Sequence, residues 1–432
     1  EGNPDHPYNR GADVNDRGSS ATDIFAQASI LGLYDPERSK TVTYREEIRT
    51  WTTFLGEMRT ALDEQRPKQG AGLRFLTETM PKSSASTSVS TIAAQLKGLL
   101  TEFPQAKWHQ YEPANRDNTR AGAMMAFGRP VNTIYNFDQA RRILALDADF
   151  LSAAPGTLRY ARHFAAGRRI VEGKHEMSRL YVVETTPTTT GASADHRWSV
   201  KPSALEGIAR SLAAKCGVSL PPTTNATNAD AAWVDAVARD LQDHSGASIV
   251  IAGNEAPAAV HALAHAMNAA LGNVGKTVTY SEPLEANPVD QRESLRELVG
   301  DLDAGRVELL VMLGGNPVYN TPADLKLDFN RLAKAKLRVH LSSHKDETSE
   351  LCHWHVPESH YLESWGDTRA ADGTVSIVQP LIEPLYGSKT AHEVLAVFSE
   401  KYDRKSYEIV REYWQSQGTG FGSQVSGAVN AP

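Results

Sequence analysis

Glycine-rich turns follow two strongly apolar segments of this 432-residue sequence. The segment "ELLVML" runs directly into Gly314-Gly315-Asn316. The segment "IVIA" runs into Gly253-Asn254. Glycines at the carboxyl end of a buried strand let the backbone approach a ligand, free N–H groups can bind phosphate, and asparagine can bond a base or ribose. The alternative is a tight corner without a ligand, since neither turn matches the dinucleotide-binding or P-loop fingerprint.

The histidine-rich stretch at residues 342–380 is the second candidate for a functional site, because histidine and cysteine side chains can bind a metal ion. Spacing places His353 and His355 on one face of a predicted strand and Cys352 on the other, and no further Cys/His pair stands at zinc-ribbon spacing. His261 and His265 are four residues apart on a predicted helix, but the glutamate of a helical zinc-protease motif is absent. We therefore predict satisfied polar side chains and no metal ligand.

Acid–base and nucleophilic chemistry have little support in the sequence. No G-x-S-x-G elbow is present, so nothing indicates an α/β-hydrolase nucleophile. No two of the carboxylates in the histidine-rich region form a specific pair, and we predict no catalytic residue. These carboxylates are Glu347, Glu350, Glu358, Glu363 and Asp367.

The charge, the apolar segments and the cysteine content of the sequence exclude several classes of partner and of metal site. The net charge of −7, from 45 basic and 52 acidic residues, argues against nucleic acid or an anionic membrane as the main partner. No apolar run approaches the roughly 20 residues of a membrane helix, so direct membrane insertion is not expected. The two cysteines, Cys216 and Cys352, cannot by themselves hold an iron–sulfur cluster or a four-cysteine zinc site.

The elements that would position these residues alternate between short apolar strands and amphipathic helices. This alternation predicts βαβ units and an α/β fold with two doubly wound, mostly parallel-sheet, Rossmann-like lobes, one inserted in the other. The predicted strands are "LRFLTE", "KWHQY", "RRILALDADF", "RLYVVE", "ASIVIAG", "KTVTY", "ELLVML", "KLRVHLSS" and "TVSIVQP".

Four segments are expected along the chain. Residues 1–45 form an extended N-terminal segment, and residues 46–115 together with 282–400 form the first α/β lobe. Residues 116–281 form the second, inserted lobe. Residues 401–432 supply a C-terminal helix and a Gly/Ser-rich linker. The sequence begins at Glu1 and ends in this linker, so we interpret it as a piece of a longer protein.

Several stretches, taken in order, resemble the molybdopterin oxidoreductase family of the dimethyl-sulfoxide-reductase type. Each is weak alone, and the shared order over most of the chain carries the resemblance. The stretches are "EGNPDHPYNRG" at the start, "LYDPERS" (33–39), "RRILALDADFLSAAPG" (141–156), "NAALGNVG" (268–275), "LGGNPVYNTP" (313–322), residues 346–373 and "QPLIEPL" (379–385).

Departures from the family pattern argue against a working cofactor site. Active members have a cluster-binding cysteine where this sequence has Val14 or Asn15. The family's Gly-x-Asn turn is replaced by Asp147-Ala148-Asp149, whose two carboxylates would repel a pterin diphosphate. No cysteine precedes Cys216, so the usual thiolate ligand of the metal is missing as well.

This altered pattern is similar to the molybdopterin-oxidoreductase-like region of the large iron–sulfur subunit of bacterial alternative complex III. The stretches "LCHWHVPESHYLESWGD" and "DGTVSIVQPLIEPLYG" carry this finer resemblance. It implies a cofactor-free structural scaffold in a membrane-associated, quinol-oxidising respiratory electron-transfer complex. The implied partners are a ferredoxin-like iron–sulfur domain of the same full-length protein and the membrane and cytochrome subunits. The implied location is the periplasmic side of the bacterial inner membrane, reached through a twin-arginine signal.

Two alternatives remain open at this point. One is an active molybdenum or tungsten oxidoreductase that binds bis-pterin guanine dinucleotide between the lobes, and the other is an unrelated nucleotide-binding α/β enzyme. The family consists of oxidoreductases, but we expect this chain not to be catalytic by itself. The residues predicted to line the vestigial pterin-nucleotide cleft are Gly253, Asn254, Gly314, Gly315, Asn316, Glu347, Thr348, Gly366 and Asp367.

Overall fold

The computed structural model describes residues 22–80, 90–153, 156–170, 176–221, 230–369 and 375–418. Its strands are β1 (Thr43–Tyr44), β2 (Glu47–Ile48), β3 (Leu73–Thr77), β4 (Lys107–Gln110), β5 (Asn132–Tyr135), β6 (Arg142–Leu146), β7 (Arg179–Glu184), β8 (His196–Ser199), β9 (Ser248–Ala252), β10 (Val278–Ser281), β11 (Leu309–Leu313), β12 (Leu337–Ser342), β13 (Trp354–Pro357), β14 (Gly366–Arg369) and β15 (Val375–Val378). The predictions for residues 1–18, including the first motif and Val14 or Asn15, lie outside the described residues, as do residues 370–373 and 419–432.

Helices alternate with most of these strands. They are α1 (Ile24–Leu33), α2 (Trp51–Gln65), α3 (Thr91–Glu102), α4 (Asp117–Phe127), α5 (Thr157–Arg168), α6 (Thr189–Ala192), α7 (Pro202–Lys215), α8 (Ala231–Asp243), α9 (Ala258–Ala270), α10 (Gln291–Asp303), α11 (Pro317–Asn320), α12 (Phe329–Leu332), α13 (Glu347–Glu350), α14 (Ala391–Ala396) and α15 (Ser406–Gly418).

The chain divides into two compact units. We call residues 116–283 the inserted unit, because they interrupt the other unit in sequence. The host unit consists of residues 28–115, 284–369 and 375–418.

The host unit contains a seven-stranded sheet in the order β2-β1-β13-β12-β11-β3-β4. Its five strands from β13 to β4 are parallel, and the β1–β2 hairpin adds to β13 in antiparallel fashion. Taken in chain order, the parallel strands are arranged 2-1-3-4-5, which is the flavodoxin-like order.

Strand β11 shows why this sheet lies in the middle of the host unit. All five of its residues are buried. Because successive side chains point to opposite faces, Leu309 and Val311 join the hydrophobic core on one side, whereas Leu310 and Met312 join the core on the other. A strand covered on both faces must be apolar throughout, and all five residues of "LLVML" are apolar.

The inserted unit has its own four-stranded parallel sheet, in the order β8-β7-β6-β9. In chain order this is 3-2-1-4, the arrangement of half a Rossmann fold. Strand β6 contributes Leu144 and Leu146 to one core and Ile143 and Ala145 to the other. This sheet is therefore also covered on both faces.

The α/β class with Rossmann-like parallel sheets is confirmed, and seven of the nine predicted strands lie in the two parallel sheets. The other two, "KTVTY" and "TVSIVQP", also contain strands, but these form separate two-stranded sheets: β10 pairs antiparallel with β5, and β15 pairs antiparallel with β14. Only Val278 of β10 is buried, so this strand lacks the two apolar faces that an interior parallel strand needs. A short connection joins β14 to β15, which favours an antiparallel pair.

Candidate functional site

Each parallel sheet has one point where the strand order reverses, and ligands of open α/β sheets bind there, beyond the carboxyl ends of the strands. In the host unit this point lies between β3 and β11. In the inserted unit it lies between β6 and β9. A cavity opens at both places.

The host-unit cavity has a volume of about 440 Å³ and an acidic lining. Burial, and then the negative charge of Glu78, raise the pKa of the Glu358 carboxyl to about 7. None of the described residues that line this cavity is a lysine or an arginine. Its polar lining includes Glu78, Ser342, Ser343, His344, Asp346 and Glu358.

The predicted glycine turn Gly314-Gly315 lies in this cavity. Both residues have left-handed backbones, with φ of +74° and +69°, which favours glycine in any case. A Cβ on Gly314 would lie 3.2 Å from Oε2 of Glu78, and the Gly314 N–H donates to the carbonyl oxygen of Leu341 (2.9 Å). The turn geometry thus accounts for both glycines without a ligand.

Asn316, Glu347 and Thr348 were predicted as site residues, and the structure joins them directly. The Asn316 amide donates to Oε2 of Glu347 (2.6 Å), and its oxygen accepts from the Thr348 hydroxyl (2.8 Å). The hydrogen bond from Asn316 is the main cause that lowers the pKa of Glu347. The Thr348 hydroxyl in turn accepts from the backbone N–H of Val318 (3.1 Å). These groups therefore hold α11 against α13.

Asp367, with Gly366 beside it, lies at the N-terminus of α3. Its carboxylate accepts from the backbone N–H of Thr91 and from the Thr91 hydroxyl, each at 3.1 Å, and from Nε1 of Trp414 at 3.1 Å. Burial raises the pKa of Asp367 despite these bonds. An aspartate of the chain thus occupies the donors of this helix N-terminus, where a bound anion would otherwise fit.

The inserted-unit cavity has a volume of about 390 Å³ and contains the predicted Gly253 and Asn254. A Cβ on Gly253 would lie 1.8 Å from the carbonyl oxygen of Asp147 and 3.0 Å from Cα of Ala148. Glycine is therefore required here because the ends of β6 and β9 pass so closely.

Asp147 and Asp149 tie the end of β6 to the segment after β7. Asp147 accepts from the backbone N–H of Thr185 (2.8 Å) and from its hydroxyl. Asp149 accepts from the backbone N–H of Thr190 (3.0 Å) and from its hydroxyl (2.7 Å). These two N–H groups are the kind of donor that binds phosphate at such an edge, and carboxylates of the chain already occupy them.

The predicted site residues therefore fall into separate groups. Gly314 and Gly315 line the host-unit cavity, and the Asn316 network continues from that turn. Gly253 and Asn254 line the cavity of the inserted unit. Asp367 belongs to the start of α3. Sequence reasoning missed Glu78, Arg116 and the placement of His261, although Glu78 directly follows an apolar strand and could have been considered for that reason.

No group of three or more potential metal ligands comes together among the described residues. Both cysteines are buried and free. Burial raises the pKa of Cys216 to about 11 and that of Cys352 to about 12, so both are protonated thiols at neutral pH. Within the same described ranges, no helix combines the length and the apolar character required to cross a membrane.

No protein-family model and no curated protein matches this sequence. Solved structures do match: acetylene hydratase from Pelobacter acetylenicus superimposes with a TM-score of 0.66 over 95% of this chain, at 12% sequence identity. The chain spans 66% of that protein's length, just under two thirds. At this identity the likeness shows the fold alone. The chain shares its fold with acetylene hydratase.

Proposed function

We propose that this chain is a cofactor-free, molybdopterin-oxidoreductase-like structural domain. The observation that carries the proposal is the acidic lining of the host-unit cavity, with Glu78, Asp346 and Glu358 and with no lysine or arginine among the described lining residues. A pterin guanine dinucleotide carries a diphosphate. Like charges about 4 Å apart repel each other by roughly 4 kcal/mol near a protein surface, so these residues do not fit that group.

In both units, backbone N–H groups that could bind a phosphate already donate to aspartates of the chain, which supports the same proposal. Three aspartates of the chain accept hydrogen bonds from the N–H groups that a phosphate would use in this fold. A ligand phosphate would have to displace these partly buried carboxylates and leave them without their hydrogen bonds beside it, which costs free energy. The residues that resembled a cofactor site therefore serve the fold.

In this proposal the chain acts through its partners. It belongs to a quinol-oxidising respiratory complex of the alternative complex III type and packs against a ferredoxin-like iron–sulfur domain and against the membrane and cytochrome subunits. It lies on the periplasmic side of the inner membrane of a bacterium. The support for this finer assignment is the resemblance of "LCHWHVPESHYLESWGD" and of the stretch that follows it.

Metal and pterin analysis tests the cofactor-free state. The protein is produced in cells in which the molybdenum cofactor is plentiful, and molybdenum, tungsten and acid-oxidised pterin fluorescence are then measured. We expect well-folded protein with neither metal nor pterin. Stoichiometric molybdenum or tungsten together with pterin would overturn the proposal and support an active oxidoreductase.

Neutralising the acidic cavity tests the structural role in the assembled complex. We expect Glu78→Gln and Glu358→Gln to leave complex assembly and quinol oxidation unchanged, because no ligand or reaction depends on these carboxylates. A loss of quinol oxidation in a fully assembled complex would show that the cavity takes part in the reaction.

A further inference from the structure

We propose that the cavity of the inserted unit binds a small carboxylate that carries a neighbouring hydroxyl and an apolar group, the chemistry of an aromatic 2-hydroxy acid. This inference goes beyond the structural role proposed above and does not depend on it, because a domain without pterin can still hold a small ligand. It rests on two buried polar atoms without partners and on the cavity that they line.

His261 supplies the first unpartnered atom. Its side chain lies at the cavity wall and is only 4% exposed, and Nε2 has no hydrogen-bond partner among the described residues. A neutral histidine ring has one N–H donor and one acceptor nitrogen. Burial lowers the pKa of His261 to about 4, which leaves the ring neutral. A ligand hydroxyl can donate as well as accept, so it would satisfy Nε2 in either tautomer of the ring.

Arg116 supplies the second unpartnered atom. It lines the same cavity, and within the part of the chain that the structure describes its buried Nε–H has no acceptor. Its positive charge lowers the pKa of His261 as well as those of Tyr135 and Tyr160, so the guanidinium lies close to all three. This guanidinium, close to the neutral rings of Tyr135, Tyr160 and His261, matches a ligand carboxylate, which it binds through charge-assisted hydrogen bonds.

The remaining walls fit an apolar group. Phe150 is fully buried, Tyr160 is 4% exposed, and Tyr135 and Ile251 also line the cavity. A volume of about 390 Å³ lies in the usual range for small-molecule sites, which are mostly apolar with a few convergent polar groups. The cavity lies at the reversal point of the sheet, where such sites are common.

The charges at this cavity favour a monoanion over a phosphate. Asp147 and Asp149 line it too, and each already accepts from a backbone N–H that would otherwise bind phosphate. Arg116 is the single arginine or lysine among the described residues of the lining. Glu255 also lines the cavity, so one cation faces three carboxylates, and this excess of negative charge repels a diphosphate more strongly than it repels a single ligand carboxylate.

Titration calorimetry on the full chain tests this with 3-phenyllactate as the probe. We expect 3-phenyllactate to bind at least tenfold more tightly than 3-phenylpropionate, which lacks the hydroxyl, and than 3-phenylpropane-1,2-diol, which lacks the carboxylate. Absence of 3-phenyllactate binding, or tighter binding of GDP, would overturn the proposal without touching the cofactor-free function, which metal and pterin analysis tests separately.

Substitutions of Arg116 and His261 test which group of the ligand each side chain contacts. Arg116→Gln should abolish the preference for 3-phenyllactate over the diol, and His261→Phe should abolish its preference over 3-phenylpropionate. Arg120→Gln is the matched control, because Arg120 lies in the first turn of α4, which begins directly after Arg116, and does not line the cavity. Should a variant fail to fold, nitrogen NMR of the wild-type His261 ring decides: the Nε2 signal must shift on addition of 3-phenyllactate, and an unchanged signal contradicts the proposal.

Discussion

Gly253 has no room for a side chain. A Cβ there would lie 1.8 Å from the carbonyl oxygen of Asp147, and backbone cannot move aside as the end of a flexible side chain can. We therefore expect Gly253→Ala to destabilise the protein by about 3 kcal/mol, the upper part of the range for overpacking. Urea unfolding followed by circular dichroism measures this change.

Gly56→Ala is the matched control for that substitution. Gly56 lies on the exposed face of α2, and an added Cβ meets nothing within 4 Å. Alanine is favoured over glycine in a helix interior by about 1 kcal/mol, so this variant should be more stable than the wild type. A Gly253→Ala protein as stable as Gly56→Ala would contradict the close contact.

Glu358 makes stability depend on pH. Burial, followed by the charge of Glu78, raises its pKa from 4.5 to about 7, so the folded state binds this proton more tightly than the unfolded state does. Its contribution to stability is complete below pH 4.5 and is lost as pH rises through 7. We expect Glu358→Gln to stabilise the protein by about 1–2 kcal/mol at pH 8 and to have no effect at pH 4.5.

Thermal unfolding at several pH values measures this difference. Glu347→Gln is the control with the opposite sign, because the hydrogen bond from Asn316 lowers the pKa of Glu347. Its stabilising contribution is present at neutral pH and is lost in acid, so this variant should be less stable than the wild type only above pH 4.5. An equal response of both variants at pH 8 would refute the assignment.

The sequence was enough to place Gly253 and Gly314 at the ends of strands, but it could not show why glycine is needed at either position. The pattern of an apolar strand followed by glycine correctly marks the carboxyl edge of a sheet at Gly253 and Gly314. What makes glycine necessary is a contact with Asp147 in one case and a left-handed backbone close to Glu78 in the other. Both neighbours are distant in sequence, so a pattern along the chain cannot separate packing from ligand binding.

At the scale of the element, Asp149 holds α6 in place after β7. Asp149→Ala would leave the buried N–H and hydroxyl of Thr190 without acceptors, which costs about 1–3 kcal/mol. We expect faster hydrogen exchange at the Thr190 amide, measured by NMR or mass spectrometry. Asp149→Asn keeps an acceptor oxygen and should retain most of the protection. Equal exchange in all three proteins would show that the carboxylate does not hold this segment.

Whether a strand could be predicted depended on its burial. Strands covered on both faces, such as β6 and β11, are apolar runs that stand out in the sequence. Strand β8 was missed because its four residues are exposed or partly exposed, and its place in the sheet comes from pairing with β7. The β1–β2 hairpin was missed because each of its strands has only two residues.

At the scale of the whole molecule, each unit contains its own parallel sheet with a hydrophobic core on each face. The inserted unit has its own parallel sheet, and two hydrophobic cores cover the two faces of that sheet. Its four parallel strands and the helices between them come from one uninterrupted stretch of sequence, whereas the host sheet draws strands from both sides of the insertion. The insertion therefore does not need residues of the host unit to complete its sheet.

This completeness predicts that residues 116–283 fold when produced alone. A domain of this size with its own hydrophobic core buries enough apolar surface to be stable independently. We expect one cooperative urea transition, together with dispersed amide NMR signals. The matched test is a chain with residues 116–283 replaced by a short Gly/Ser linker, which should retain the host sheet because β3, β4 and β11 to β13 all remain. If the excised segment showed no cooperative transition, the stability of its sheet would have to come from the host unit.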